Sequence, residues 1–124
     1  MALRDAATPA RHELPEIDAA AFEAARAVDR LFLEARRLAE ASPAGGPMSG
    51  ISAAERWAGY FQRLPDQLRD EPLPGLRAAA RRVRAAYGPK DSIRDTFAPE
   101  LTEPLLVSTD RLLKAIARYE AHRD

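Results

Sequence analysis

The sequence predicts an all-α fold, an antiparallel bundle of four main helices. Apolar residues recur at steps of three and four along most of the chain, and no segment alternates as a β-strand does. No internal period repeats, which argues against a solenoid. The predicted helices span residues 15–42, 52–71, 75–87 and 102–122, with a short helical turn near residues 92–98.

Composition limits the function classes. The chain has 124 residues, enough for one core, and we expect a flexible arm over residues 1–14 ahead of one domain over residues 15–124. Nineteen basic residues balance nineteen acidic ones, so no overall field would gather nucleic acid or an anionic membrane. The absence of cysteine excludes disulfides, thiolate metal sites and cysteine nucleophiles. Since no apolar run reaches the length of a signal peptide or a membrane span, we expect a cytoplasmic protein.

The first helix is the element on which the others are expected to pack. One apolar stripe runs along it through Ile17, Ala21, Ala24, Val28, Leu31, Ala35 and Leu38. Pro15 lies in the first turn, where a missing amide hydrogen costs nothing. This helix is expected to end at Ser42-Pro43, and the glycines and the proline of residues 44–50 predict a flexible connection.

The second helix begins with a capping box, in which the side chains of Ser52 and Glu55 each bond to the other's backbone amide. It carries most of the aromatic bulk, including Trp57, which we expect to cover the small residues of the first helix. A kink or a restart is expected at Leu64–Pro65, because proline removes one helical hydrogen bond and clashes with the preceding turn.

Prolines and glycines mark the remaining boundaries. We expect Pro72 and Pro74 to end the second helical segment, and Gly88–Pro89 to end the third helix. The stretch from Ser92 to Asp95 resembles a capping box with Asp in place of Glu. We expect Pro99 to end the short turn that this box opens.

The apolar stripes of the four helices also predict the core. These stripes face one another in a bundle, so their larger members should be removed from water. The side chains expected to be buried are Ile17, Val28, Leu31, Phe32, Leu38, Trp57, Phe61, Leu76, Val83, Leu105, Leu112 and Ile116.

Between residues 51 and 97, Trp57-Ala58 opens a helical pattern that ends at Tyr87-Gly88 and is followed by Asp91-Ser92-Ile93 and Asp95. This order resembles an uncharacterised family of small bacterial helical proteins, in which a tryptophan-alanine helix precedes a glycine-rich turn. The chain departs from the family turn at Pro89, Lys90 and Arg94. Members of such families tend to lie near toxin systems. The resemblance therefore implies an immunity or accessory protein, and it assigns no catalytic residue.

The turn between the third and fourth helices is the predicted interaction surface. A helix end and a helix start fix its backbone, and rigid loops of this kind often carry recognition. The residues assigned to the surface are Lys90, Asp91, Arg94 and Asp95, with Trp57, Tyr60 and Tyr87 beside them. A plain connection between helices is one alternative. A pocket for a small ligand or a substrate, bordered by the same three aromatic residues, is another.

The arginines of the third helix give a nucleic-acid alternative. Arg77, Arg81 and Arg84 share one helix face at steps of four and three, and such a stripe can meet successive phosphates. The simpler interpretation is that they keep an alanine-rich helix soluble and pair with acidic residues of the preceding segment, namely Asp66, Asp70 and Glu71. The balanced charge favours this interpretation, so we expect no nucleic-acid partner.

No arrangement in the sequence is typical of a metal or catalytic site. The acidic residues between positions 91 and 103 lie at helix starts, where carboxylates favour the positive end of the helix dipole. The two histidines, His12 and His122, have no ligand partner at helical spacing. We therefore expect no cofactor and no enzymatic activity. The predicted function is a protein-interaction module whose partner is another protein or a second copy of the chain.

Overall fold

The structure is a computed structural model that describes residues 9–41, 52–89 and 91–122. These residues form five α-helices and no β-strand, which confirms the predicted all-α class. The helices are α1 (Pro15–Ala41), α2 (Ala53–Phe61), α3 (Leu64–Asp70), α4 (Leu73–Ala85) and α5 (Pro99–Ala121), with 3-10 helices at Arg11–Glu13 and Ile93–Asp95. The predicted connection over residues 44–50 and residues 1–8 of the predicted arm lie outside the described residues.

The second predicted helix is two helices, α2 and α3, which restart at the predicted Leu64–Pro65 step. The capping box at the start of α2 is confirmed. The Glu55 amide donates to Ser52 Oγ at 3.1 Å, and the Ser52 amide donates to the Glu55 carboxylate at 3.0 Å. Both helices pack against α1 and together occupy the place of one bundle helix.

Two prolines predicted as helix ends are helix starts. Pro74 lies in the first turn of α4, and Pro99 is the first residue of α5. Proline suits both the residue after a helix and the first turn of the next, so its position alone does not separate the two. As a result, α4 spans Leu73–Ala85 and not residues 75–87, and α5 begins three residues before the predicted residue 102.

The core lies around α1, which packs against α2, α3 and α5, while α4 packs against α3 and α5. Fully buried alanines such as Ala21, Ala24 and Ala25 let the neighbouring helices approach α1 closely. The predicted core is confirmed except at Phe32 and Leu38, which are only partly buried. Helical periodicity gives the direction in which a side chain points, but not how far a neighbouring helix extends over it.

Residues of the predicted arm pack onto the domain through Arg11, whose side chain is 12% exposed. Its guanidinium donates to the Leu68 carbonyl at 2.9 Å and to the Glu71 carbonyl at 2.7 Å, at the end of α3. It also donates to the Asp18 carboxylate of α1 at 3.0 Å. Arg11 therefore ties the start of the described chain to two helices.

Candidate functional site

Hydrogen bonds to backbone amides hold the predicted interaction turn in one conformation. The Asp95 carboxylate accepts a hydrogen bond from the Ser92 amide at 3.2 Å, and Ser92 Oγ accepts one from the Arg94 amide at 3.1 Å. This is the predicted capping arrangement. The Ile93 amide donates to the Ala86 carbonyl at 3.0 Å, which holds the turn against the end of α4.

Asp91 is an exposed residue of this turn and has a φ of 54°. This is the left-handed region, which Asp tolerates better than most residues because its short side chain can bond locally. Its neighbour Lys90, which the sequence assigns to the same surface, lies outside the described residues.

Arg94 is the polar centre of the turn. Its Nε and Nη2 atoms donate to the two carboxylate oxygens of Glu103 on α5, each at 2.9 Å. The hydrogen bonds from Arg94, together with one from the Thr102 hydroxyl, lower the pKa of Glu103 to about 2. The guanidinium group is thus already engaged by a carboxylate of the same chain.

Tyr87 is buried between α4 and α5 and not presented at the surface. Its hydroxyl donates to the Thr102 carbonyl, and burial raises the pKa of the phenol. Two guanidinium groups lie near the ring, Arg94 at 5.3 Å and Arg84 at 6.0 Å from its centre. Tyr87 therefore joins the two helices.

Trp57 and Tyr60 secure α2 within the bundle. The Trp57 ring is 8% exposed and lies 5.3 Å from the Tyr60 ring and 5.8 Å from the Phe61 ring. The Tyr60 hydroxyl donates to the Arg82 carbonyl of α4, and the Arg82 guanidinium lies 5.1 Å from the Tyr60 ring centre. Neither Trp57, Tyr60 nor Tyr87 lines the grooves described below.

The arginines of α4 pair with α5, and not with the preceding segment as expected. Arg77 forms an ion pair with Glu120, and Arg84 forms one with Asp110 at 3.1 Å. Arg81 is exposed and forms no ion pair with a described residue. Two of the three side chains that would meet phosphates are therefore already neutralised.

The described ranges contain no cluster of three or more His, Asp or Glu side chains that could hold a metal ion. His12 is exposed, and a ring nitrogen of His122 lies 2.8 Å from the Arg118 carbonyl. The His122 contact is with nearby backbone and not with a potential metal ligand.

The feature that sequence reasoning missed is a pocket of about 460 Å³ where the start of α1 meets the end of α5. We call it the end pocket. Its apolar surface comes from Leu14, Ile17, Ala115 and Tyr119, and its charged rim from Glu13, Glu16, Arg118 and His122. It lies at the opposite end of α5 from the predicted turn, because Arg118 is about 22 Å from Glu103 at 1.5 Å per residue.

The end pocket continues along the outer side of the two helices as a shallow groove. Two depressions of about 380 Å³ each lie along it and share Arg111. We call this surface the α1/α5 groove and define it by Glu16, Ala19, Glu23 and Arg26 of α1 with Val107, Asp110, Arg111, Lys114 and Arg118 of α5. Two ion pairs cross it, Glu16–Arg118 at 2.5 Å and Glu23–Arg111 at 2.7 Å.

Exposed large apolar side chains also lie on these two helices. Among the described residues they are Phe22, Leu33 and Val107, with 42%, 66% and 56% of their surface exposed. Phe22 and Leu33 are eleven residues apart, close to three helical turns, and share the outer face of α1. The sequence carried a signal for the α5 side, since Val107, Arg111, Lys114 and Arg118 recur at steps of four and three opposite the apolar stripe.

Comparison of the chain with protein-family models, with curated proteins and with solved structures finds no match. The resemblance to a family of small bacterial helical proteins therefore stays a prediction. In the part of the chain that the structure describes, no helix is both long and apolar enough to cross a membrane.

Proposed function

We propose that the chain is a non-enzymatic protein-interaction module that binds a polypeptide partner on the outer faces of α1 and α5. The observation that carries the proposal is the location of Phe22, Leu33 and Val107. Of the described residues, these are the large apolar side chains left exposed, and all three lie on the same pair of adjacent helices. Val107 also lines the α1/α5 groove, and exposed apolar side chains beside a groove are typical of surfaces that another chain covers.

The predicted turn supports the proposal less well. Arg94 is held by Glu103, and Tyr87 is buried against Thr102. The described residues of the turn also include no exposed large apolar side chain, unlike α1 and α5. Cytoplasmic location and an immunity or accessory role belong to the proposal as predictions from the sequence.

Site-specific photo-crosslinking in cells of the source organism tests the proposal. The photoreactive residue p-benzoylphenylalanine replaces Phe22 in one variant and Val107 in another. Gln62, an exposed residue between α2 and α3, is replaced in a matched control. We expect a discrete protein adduct at Phe22 or Val107, formed with another protein or a second copy of the chain, and none at Gln62. Equal labelling at all three positions, or none at Phe22 and Val107, would contradict the proposal.

The nucleic-acid alternative has less support, because Arg77 and Arg84 already pair with Glu120 and Asp110. Replacing Arg77, Arg81 and Arg84 with Gln should leave any weak mobility shift with DNA or RNA unchanged at physiological salt. A large loss of binding with a shallower salt slope would favour nucleic acid instead.

The small-ligand alternative has the end pocket as its candidate, since its volume of about 460 Å³ is within the usual range for ligand sites. It lacks the convergent polar groups that orient a ligand, because Glu16 and Arg118 pair with each other across its rim.

A further inference from the structure

We propose that the α1/α5 groove is a docking site for an acidic amphipathic helix of another protein. This inference rests on the proposed function and names the chemistry of the partner. Three features of the groove support it: its unbalanced positive charge, the spacing of its free cations, and the apolar contacts at its two ends.

The positive charge arises because the carboxylates of the groove are already engaged. Glu16 pairs with Arg118 and Glu23 with Arg111, while Asp110, which also lines the groove, pairs with Arg84 of α4. Arg26 and Lys114 line the same groove, and neither takes part in an ion pair among the described residues. The groove therefore presents two cations whose charge is not balanced locally, and complementary potential is how interfaces select a partner.

The two ion pairs also fix where these cations lie. Glu16 and Glu23 are seven residues apart on α1, and their partners on α5 are seven residues apart in the opposite direction, so the helices are antiparallel and in register. Arg26 lies three residues after Glu23, on the side away from Glu16. Lys114 lies three residues after Arg111, on the side toward Arg118. The free cations thus lie on opposite sides of the groove, about 9 Å apart along it at 1.5 Å per residue. Carboxylates six or seven residues apart on a helix match this separation.

Apolar contacts are available at both ends of the same surface. Val107 is exposed at one end, and the end pocket with Leu14, Ile17 and Tyr119 opens at the other. From Val107 to Tyr119 the groove follows α5 for about 18 Å, or three to four helical turns. A helix of about twelve residues with an apolar side would span it, packing in the valley between α1 and α5 as a further bundle helix does.

The test places p-benzoylphenylalanine at Ala19, an exposed residue within the groove, and identifies the cross-linked segment by mass spectrometry. We expect a segment with a helical apolar stripe and at least two carboxylates six or seven residues apart. Adding Arg26→Glu and Lys114→Glu should reduce the cross-linking yield at least tenfold. The matched control carries Arg56→Glu and Arg81→Glu, two exposed arginines of α2 and α4 that form no ion pair with described residues, and should change the yield less than twofold. Circular dichroism confirms that each variant remains folded.

A neutral or basic segment, a second copy of this chain, or an adduct sensitive to nuclease would overturn the inference. So would a yield unaffected by the charge reversal. In each of these cases an adduct with a protein at Phe22 or Val107 would leave the proposed function standing. No adduct at Ala19, Phe22 or Val107 would overturn both.

Discussion

The Tyr87 hydroxyl donates a hydrogen bond to the Thr102 carbonyl, which joins the end of α4 to the first turn of α5 across the predicted interaction turn. Replacing Tyr87 with Phe removes this bond and leaves a buried acceptor with one partner fewer. We expect the free energy of unfolding to fall by about 1 kcal/mol in urea denaturation. Tyr60→Phe is the matched control, and it should cost less because Tyr60 is only partly buried. An equal loss of unfolding free energy in both variants would contradict the argument that burial makes the Tyr87 hydrogen bond more important than that of Tyr60.

The buried phenol should also make stability depend on alkaline pH. Burial raises the pKa of Tyr87 in the folded protein above the value of about 10 expected in the unfolded chain. The unfolded state therefore loses its proton first, and stability should decline as the pH rises above about 10. Tyr87→Phe should show a smaller decline than the wild-type protein over the same range.

Glu103 gives the opposite dependence at acid pH. Hydrogen bonds from Arg94 and Thr102 lower its pKa to about 2 in the folded protein, compared with about 4.3 for an unperturbed glutamate. Its contribution to stability is present above pH 4.3 and is lost as the pH falls toward 2. We expect NMR titration of the Glu103 carboxyl to give this low value in the wild-type protein. In Arg94→Gln the midpoint should move toward that of a free glutamate, and an unchanged midpoint would exclude the ion pair as its cause.

Arg11 should be essential to the stability of the described N-terminal turn. Arg11→Met removes three charge-assisted hydrogen bonds from a largely buried guanidinium, so we expect a loss of about 2 to 3 kcal/mol in the free energy of unfolding. Arg30→Met serves as the control, because Arg30 is exposed and forms no ion pair with described residues, and such changes usually stay within about 0.5 kcal/mol. Similar values for the two variants would show that the Arg11 contacts do not contribute in solution.

Thr109 offers a stabilising substitution. It is fully buried in α5, and its hydroxyl has no hydrogen-bond partner among the described residues. Replacement by Val keeps the shape and removes the unsatisfied group, so the free energy of unfolding should rise by about 1 kcal/mol. Thr102→Val on the same helix is the control and should be destabilising, since that hydroxyl donates to Glu103 at 2.8 Å.

Phe61 and Phe32 both belong to the predicted core, but they differ in burial. Phe61 is fully buried, so Phe61→Ala should cost about 3 to 5 kcal/mol. Phe32 is only partly buried, and Phe32→Ala should cost about half as much or less, because less apolar surface returns to water. Thermal or urea unfolding of the two variants side by side measures the difference.

The features of this structure that depend on neighbouring residues could be predicted from the sequence. Ser52 and Glu55 mark a helix start because their bonds span only three residues, and the same holds for Ser92 and Asp95. Pro99 was misread because its local chemistry fits either side of a boundary. Periodicity placed Leu31 and Leu112 in the core correctly, since each lies at the centre of its apolar stripe.

Contacts between residues that are distant in the sequence could not be predicted from it. Arg11 meets the carbonyls of Leu68 and Glu71, about sixty residues away, and no local pattern distinguishes it from a solvated arginine. The α1/α5 groove was missed for the same reason. Its shape depends on how Glu16 and Glu23 meet Arg118 and Arg111, and that pairing follows from the packing of two helices distant in the chain.

The two flanks of α5 carry opposite charge toward their neighbours. Toward α4 the flank presents acids, Asp110 and Glu120, whereas toward α1 it presents bases, Arg111 and Arg118. A bundle of the opposite hand, with α1 and α4 exchanged around α5, would bring Arg84 against Arg111 and Glu23 against Asp110. Exposed ion pairs add little to stability, but like charges at each of these contacts would penalise the mirror-image arrangement. The ion pairs on the two flanks of α5 therefore favour one handedness of the bundle over the other.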